Sequence, residues 1–187
     1  MKRLITFALL LVTAQLFAQI YPVYVSPVKV GNMNLQTGKA FYQNSFSGSS
    51  NLSRLAERFK SKEQVYSVFN LNAVTPTEIK GTITNFQLNI DQYGVKRKKL
   101  ASFLPRPLNA TFNIEIVDGK NRVTVSNIWF KSIPGDKSLG HHNLEAMITG
   151  KNASTFLKKK KILKSITVIE KNLDELFTSA TVAGAGF

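Results

Sequence analysis

The sequence has no cysteine. Disulfides, thiol catalysis and cysteine-bound metal are therefore excluded, and the fold must rest on its core alone. Histidine is nearly as scarce: the two present, His141 and His142, are adjacent. One such pair is a poor basis for a Ser-His-Asp triad, and no Gly-x-Ser-x-Gly turn accompanies it. Acids are few, with 11 Asp and Glu against 25 Lys and Arg, for a formal charge of +14. The apolar run Leu4 to Val12, interrupted only by Thr6, falls short of the roughly 20 residues that a membrane span takes.

That run belongs to an export pattern. Lys2 and Arg3 precede it, and Leu16-Phe17-Ala18 offers a small residue for cleavage before Gln19. Residues 1–18 are expected to be a cleavable signal peptide, and polar Thr13 and Gln15 argue against an uncleaved anchor. The mature protein is then expected in the periplasm or outside the cell. No cysteine follows the run, so lipid attachment there is excluded. Cleavage leaves 169 residues, enough for one domain. An apolar fraction of 43% is that of a globular chain. With the two leader cations gone the charge is +12, which attracts polyanions.

Hydrophobic spacing outlines an α+β domain. Tyr21 to Val30 is rich in Val and Tyr but holds Pro22 and Pro27, so it is read as an edge strand. Gly31 to Ser50 is polar and rich in Gly, Ser and Asn, and is expected to be a long loop around Phe41, Tyr42 and Phe46. Asn51 to Phe69 is expected to be helical, capped by Ser50 or Asn51 and weak around Ser61-Lys62. Three strands follow: Glu78 to Ile90, Asn109 to Val117 and Arg122 to Ile133. Phe112, Ile114 and Ile116 alternate with Thr111, Asn113 and Glu115, as in a half-buried strand. The last two strands form a hairpin across Asp118-Gly119-Lys120-Asn121. The apolar parity flips at Thr84-Asn85 and again at Ser126-Asn127. A β-bulge at each place would return both apolar sets to one side and bend the sheet. Tyr93 to Leu108 is an excursion containing Pro105 and Pro107, and Pro134 to Gly140 is a loop. Ala153 to Ala180 is expected to be the longest helix, with Ile162, Ile166, Ile169, Leu173 and Leu176 in one stripe and a frayed end at Thr181 to Phe187.

This order resembles a family of secreted bacterial domains of unknown function with a TBP-like fold. The resemblance is carried by the alternating strand from Asn109, the turn Asp118-Gly119-Lys120, Asn121-Arg122-Val123 and the close in Ser126-Asn127-Ile128. Glu78-Ile79-Lys80-Gly81 resembles that family's first sheet strand, with its glycine, so the likeness spans about residues 50–135. It implies a curved antiparallel sheet backed by helices, and it carries over no catalytic residue. The basic excursion Tyr93 to Leu108 departs from the family pattern.

Chemistry-bearing motifs are thin. His141, His142 and Glu145 have metal-ligand side chains, but a site needs three or four convergent ligands, and none is expected here. Gly135-Asp136-Lys137-Ser138 lacks the spacing of a phosphate loop. A hydrolytic carboxylate pair drawn from Asp91, Glu115 or Asp118 has no motif behind it. No cofactor is implied. Two basic runs remain: Lys96, Arg97, Lys98 and Lys99 beside Tyr93 and Phe103, and Lys158, Lys159, Lys160 and Lys161 early in the last helix. Cations there oppose the helix dipole, as do Asp174-Glu175 near its other end. The runs are read as ligand-binding residues, with a solvated face as the plain alternative.

Three function classes follow. The first is an exported, non-enzymatic envelope protein binding an anionic or amphipathic ligand: a lipid headgroup, a polysaccharide or the membrane surface. The second is a structural module of an envelope assembly, docking on a protein partner through a sheet edge or the aromatic loop. The third is a hydrolase. Export makes nucleic acid a poor partner for any of them.

Overall fold

The structure is a computed structural model, described here for residues 28–47, 51–60, 67–132, 142–150 and 153–182. The signal segment, Gly135-Asp136-Lys137-Ser138 and His141 lie outside these residues. An antiparallel sheet holds β1 (Val28–Val30), β2 (Met33–Gln36), β3 (Lys39–Phe46), β4 (Phe69–Val74), β5 (Glu78–Phe86), β6 (Leu108–Val117), β7 (Lys120–Phe130) and β8 (His142–Asn143). Its order is β1-β2-β3-β7-β6-β5-β4, with β8 added to the end of β7. Helices α1 (Leu52–Lys60), α2 (Leu144–Ile148) and α3 (Lys160–Val182) complete the set.

The hairpin forms where the sequence predicts it. Val117 pairs with Lys120, so Asp118 and Gly119 alone make the turn. Their φ of 52° and 71° match the type I′ geometry that two-residue hairpins favour. Both predicted bulges are present. The β5–β6 register shifts between Ile83 and Phe86, and the β6–β7 register between Asn109 and Thr111. Asn85 and Asn127 adopt φ of 54° and 50°, a left-handed conformation that Asn tolerates better than branched residues. Asn109, on the strand between the two bulges, accepts the Asn85 N–H at 3.0 Å. The bulges return Leu88 and Ile90, and Ile128 and Phe130, to the buried face beside Ile79, Ile83, Val123 and Val125.

That face carries the core. Phe59 of α1, Phe69 of β4, Phe112 of β6 and Phe177 of α3 form one aromatic cluster, with centroids 4.5 to 5.8 Å apart. Gly81 makes room for it, since a Cβ there would lie 2.7 Å from the Phe112 ring and 2.5 Å from the Asn70 carbonyl oxygen. The predicted stripe of α3 packs inward, fully for Ile166, Ile169 and Leu173 and partly for Ile162.

Four boundaries differ from expectation. Gly31 to Ser50 is not a loop. Over Met33 to Phe46 it is the β2–β3 hairpin, whose buried Met33, Leu35, Ala40, Tyr42 and Phe46 are masked in sequence by polar neighbours. The expected aromatic docking loop is thus a core strand. The first helix stops at Lys60, with Asn51 capping it by accepting the Arg54 N–H at 3.2 Å. Phe69 instead opens edge strand β4, because a partner strand, β5, pairs with it. The long helix begins at Lys160, so Lys158 and Lys159 precede it rather than lie inside it.

Candidate functional site

Two polar residues in the buried face of α3 decide where the β5–β6 excursion lies. Ser165 accepts the Ala101 N–H at 2.9 Å while donating to the Lys161 carbonyl at 2.7 Å. Two turns along, Asn172 accepts the Asn89 N–H at 2.7 Å and donates to the Val168 carbonyl at 2.8 Å. A buried loop N–H needs a partner, and these side chains supply one at each end of the excursion. Apolar anchors fill the space between. Leu100, Phe103 and Leu104 are buried, and the Phe103 ring sits 4.9 Å from that of Phe130. The excursion itself is two 3₁₀ turns, Asp91–Tyr93 and Arg97–Lys99, followed by a turn that carries Arg106 between Pro105 and Pro107.

The two basic runs, about 60 residues apart in sequence, therefore meet. They line an open cleft of about 960 Å³ at the start of α3. Arg97, Lys98, Lys159, Lys160 and Lys161 contribute from the predicted set, whereas Lys96, Lys99 and Lys158 are exposed off its lining. The floor is apolar, made of Leu100, Phe103, Met147 and Ile162. No acidic residue lines it. The positive end of the α3 dipole adds to the same field.

Sequence reading passed over two lining residues, Arg106 and His142. Arg106 is 7% exposed, which places a permanent cation in the wall of the cleft. Its signal was local: an arginine bracketed by prolines in an otherwise apolar stretch. His142 stands on β8, paired with Phe130, and its Nε2 is buried without a hydrogen bond to the protein. Glu145 diverges from it and accepts the Ala40 N–H at 3.2 Å. Among the described residues no group of three or more His, Asp or Glu is placed to hold a metal ion. Asp91 is taken by Arg97, at 3.3 and 2.8 Å, and the bound guanidinium holds its carboxyl below the usual range. Glu115 accepts from Asn113 on the sheet. Neither carboxylate lines the cleft.

No protein-family model matches the sequence, and no curated protein matches it significantly. Two solved structures are similar. A DUF4468 family protein from Bacteroides ovatus ATCC 8483 shares 14% identity at a TM-score of 0.51, over 84% of this chain and 93% of that one. A TBP-like protein from Parabacteroides distasonis ATCC 8503 shares 16% identity at a TM-score of 0.48, over 78% and 95%. At such identities the likeness is one of fold, and it agrees with the resemblance read from the sequence. This chain is an α+β protein whose bulged, open antiparallel sheet is backed by a long C-terminal helix, the fold of that DUF4468 family structure.

Proposed function

We propose that this is an exported, non-enzymatic binding protein that holds an anionic, amphipathic ligand of the cell envelope in the cleft at the start of α3. One observation carries the reading: six cations from two distant segments share a cleft with an apolar floor and no acid. Like charges repel, so gathering them costs stability unless the field is used. The apolar floor distinguishes the cleft from a solvated lysine face, which needs no such surface. The signal pattern at residues 1–18 supports a place outside the cytoplasm.

The test is binding to vesicles of phosphatidylglycerol and phosphatidylcholine, against phosphatidylcholine alone. Lys98, Lys159, Lys160 and Lys161 are changed together to Gln, and a second variant changes Lys29, Lys39, Lys60 and Lys120, none of which lines the cleft. The cleft variant is expected to lose binding to the anionic vesicles and the second variant to keep most of it. Equal losses would mean that net charge alone attracts the protein and that there is no site.

A further inference from the structure

We infer that the group recognised at the base of the cleft is a phosphate ester, held by Arg106 and His142, with its single hydrocarbon chain on the Leu100, Phe103, Met147 and Ile162 floor. This rests on the binding reading above and names its ligand class. Three observations select phosphate over carboxylate. The first is charge: six lining cations with no lining acid suit a dianion better than a monoanion. The second is donor geometry. The Arg106 guanidinium is a rigid planar fork, and its 7% exposure fixes its position in the wall. Lysines from both runs and the N-terminal turn of α3 approach from other sides. Donors arriving from several directions match a tetrahedral group with three terminal oxygens, whereas a carboxylate offers two oxygens in one plane. The third is His142. Its buried Nε2 makes no hydrogen bond to the protein, and a polar nitrogen in that condition is rare in a folded chain. A phosphate oxygen in the cleft would satisfy it as an acceptor for its N–H.

The experiment is titration of the folded protein with four probes, each below its micelle concentration: dodecyl phosphate, dodecanoate, dodecyltrimethylammonium and inorganic phosphate. Dodecyl phosphate is expected to bind at least tenfold tighter than dodecanoate and far tighter than inorganic phosphate, with no binding of the cation. His142→Phe keeps a ring of similar size and removes the donor, and it is expected to bring the phosphate-to-carboxylate ratio close to one. Equal affinities for dodecyl phosphate and dodecanoate in the unaltered protein would overturn the phosphate assignment and leave the cleft reading standing. Absence of binding by both would remove the cleft reading too. Inorganic phosphate binding as tightly as dodecyl phosphate would show that the floor takes no chain, and a ratio unchanged in His142→Phe would rule out that donor. The ratio in the unaltered protein tests the assignment even where the variant fails to fold.

Discussion

The two ends of α3 carry charges of the wrong sign for the helix dipole, yet they are treated in opposite ways. Near the C-terminal end the acids are absorbed into the fold. Asp174 accepts the Tyr42 hydroxyl at 2.5 Å and the Asn44 amide at 2.7 Å, Glu170 accepts the Asn32 N–H at 2.7 Å, and Glu175 accepts from Gln92 at 2.9 Å. The hollow of about 410 Å³ beside that half of the helix is lined by no lysine or arginine. At the N-terminal end, Lys159, Lys160 and Lys161 are exposed and form no ion pair among the described residues. An unfavourable charge that holds the sheet to the helix has a structural explanation. One that only faces a cleft needs a partner outside the chain. The difference separates stability from binding along one helix.

That separation predicts a gradient of effects. The largest is expected at the cleft. Changing Lys159, Lys160 and Lys161 to Gln removes about 1 kcal/mol of attraction to an anionic surface per lysine. Vesicle affinity should fall on the order of a hundredfold at low salt. Equilibrium binding across a salt series checks this, because screening should erase most of the gap between the two proteins. An unchanged affinity would break the comparison at its N-terminal end.

Next comes Asp174→Ala. It leaves the buried Tyr42 hydroxyl and the Asn44 amide without their acceptor, at a cost of about 1 to 3 kcal/mol. Burial, and then the bond to Asp174, push the Tyr42 hydroxyl far above the ordinary phenol range, so it remains a donor at any working pH. Urea unfolding should show the loss, while vesicle binding stays the same. A loss of binding without a loss of stability would reverse the assignment.

A smaller effect is expected at Glu170. Burial raises its carboxyl above the ordinary range, with Asp174 adding and the Asn32 N–H and Lys171 opposing. A folded-state value above the unfolded one favours the protonated form in the folded protein. That contribution is fully present below the unfolded value and is lost as pH rises through the folded one. Glu170→Gln keeps a carbonyl for Asn32 and removes the titration. The difference in unfolding free energy between the two proteins should therefore move in favour of the Gln variant from acid to neutral pH. A flat difference would show that the carboxyl is not desolvated. The smallest effect is the unfolding free energy of the triple lysine variant, expected within about 0.5 kcal/mol of the unaltered protein because those side chains are exposed.

Local chemistry explains what was legible in advance. The β6–β7 turn follows from Asp118-Gly119, and the bulges from Asn85 and Asn127, because positive φ is written in residue type. β2 and β3 were missed because their buried residues alternate with Asn, Gln, Lys and Ser in a stretch that composition marks as loop. β4 was missed for another reason: an edge strand with little apolar content exists only because β5 pairs with it. Five of the eight predicted cations reach the cleft, since runs of lysine announce themselves. Arg106 and His142 do not, because a single residue acquires its meaning from what lies against it.

By itself, then, the sequence determined the α+β class, the hairpin, the bend of the sheet and the length of the last helix. Each depends on periodicity or on φ preferences that operate over a few residues. Only the tertiary structure decided that the two basic runs share a cleft. Their meeting rests on Ser165 and Asn172, two polar side chains inside the apolar stripe of α3, which bond to Ala101 and Asn89 at sequence separations of 64 and 83. No local rule links such positions. A buried loop N–H must find an acceptor wherever the folded chain offers one.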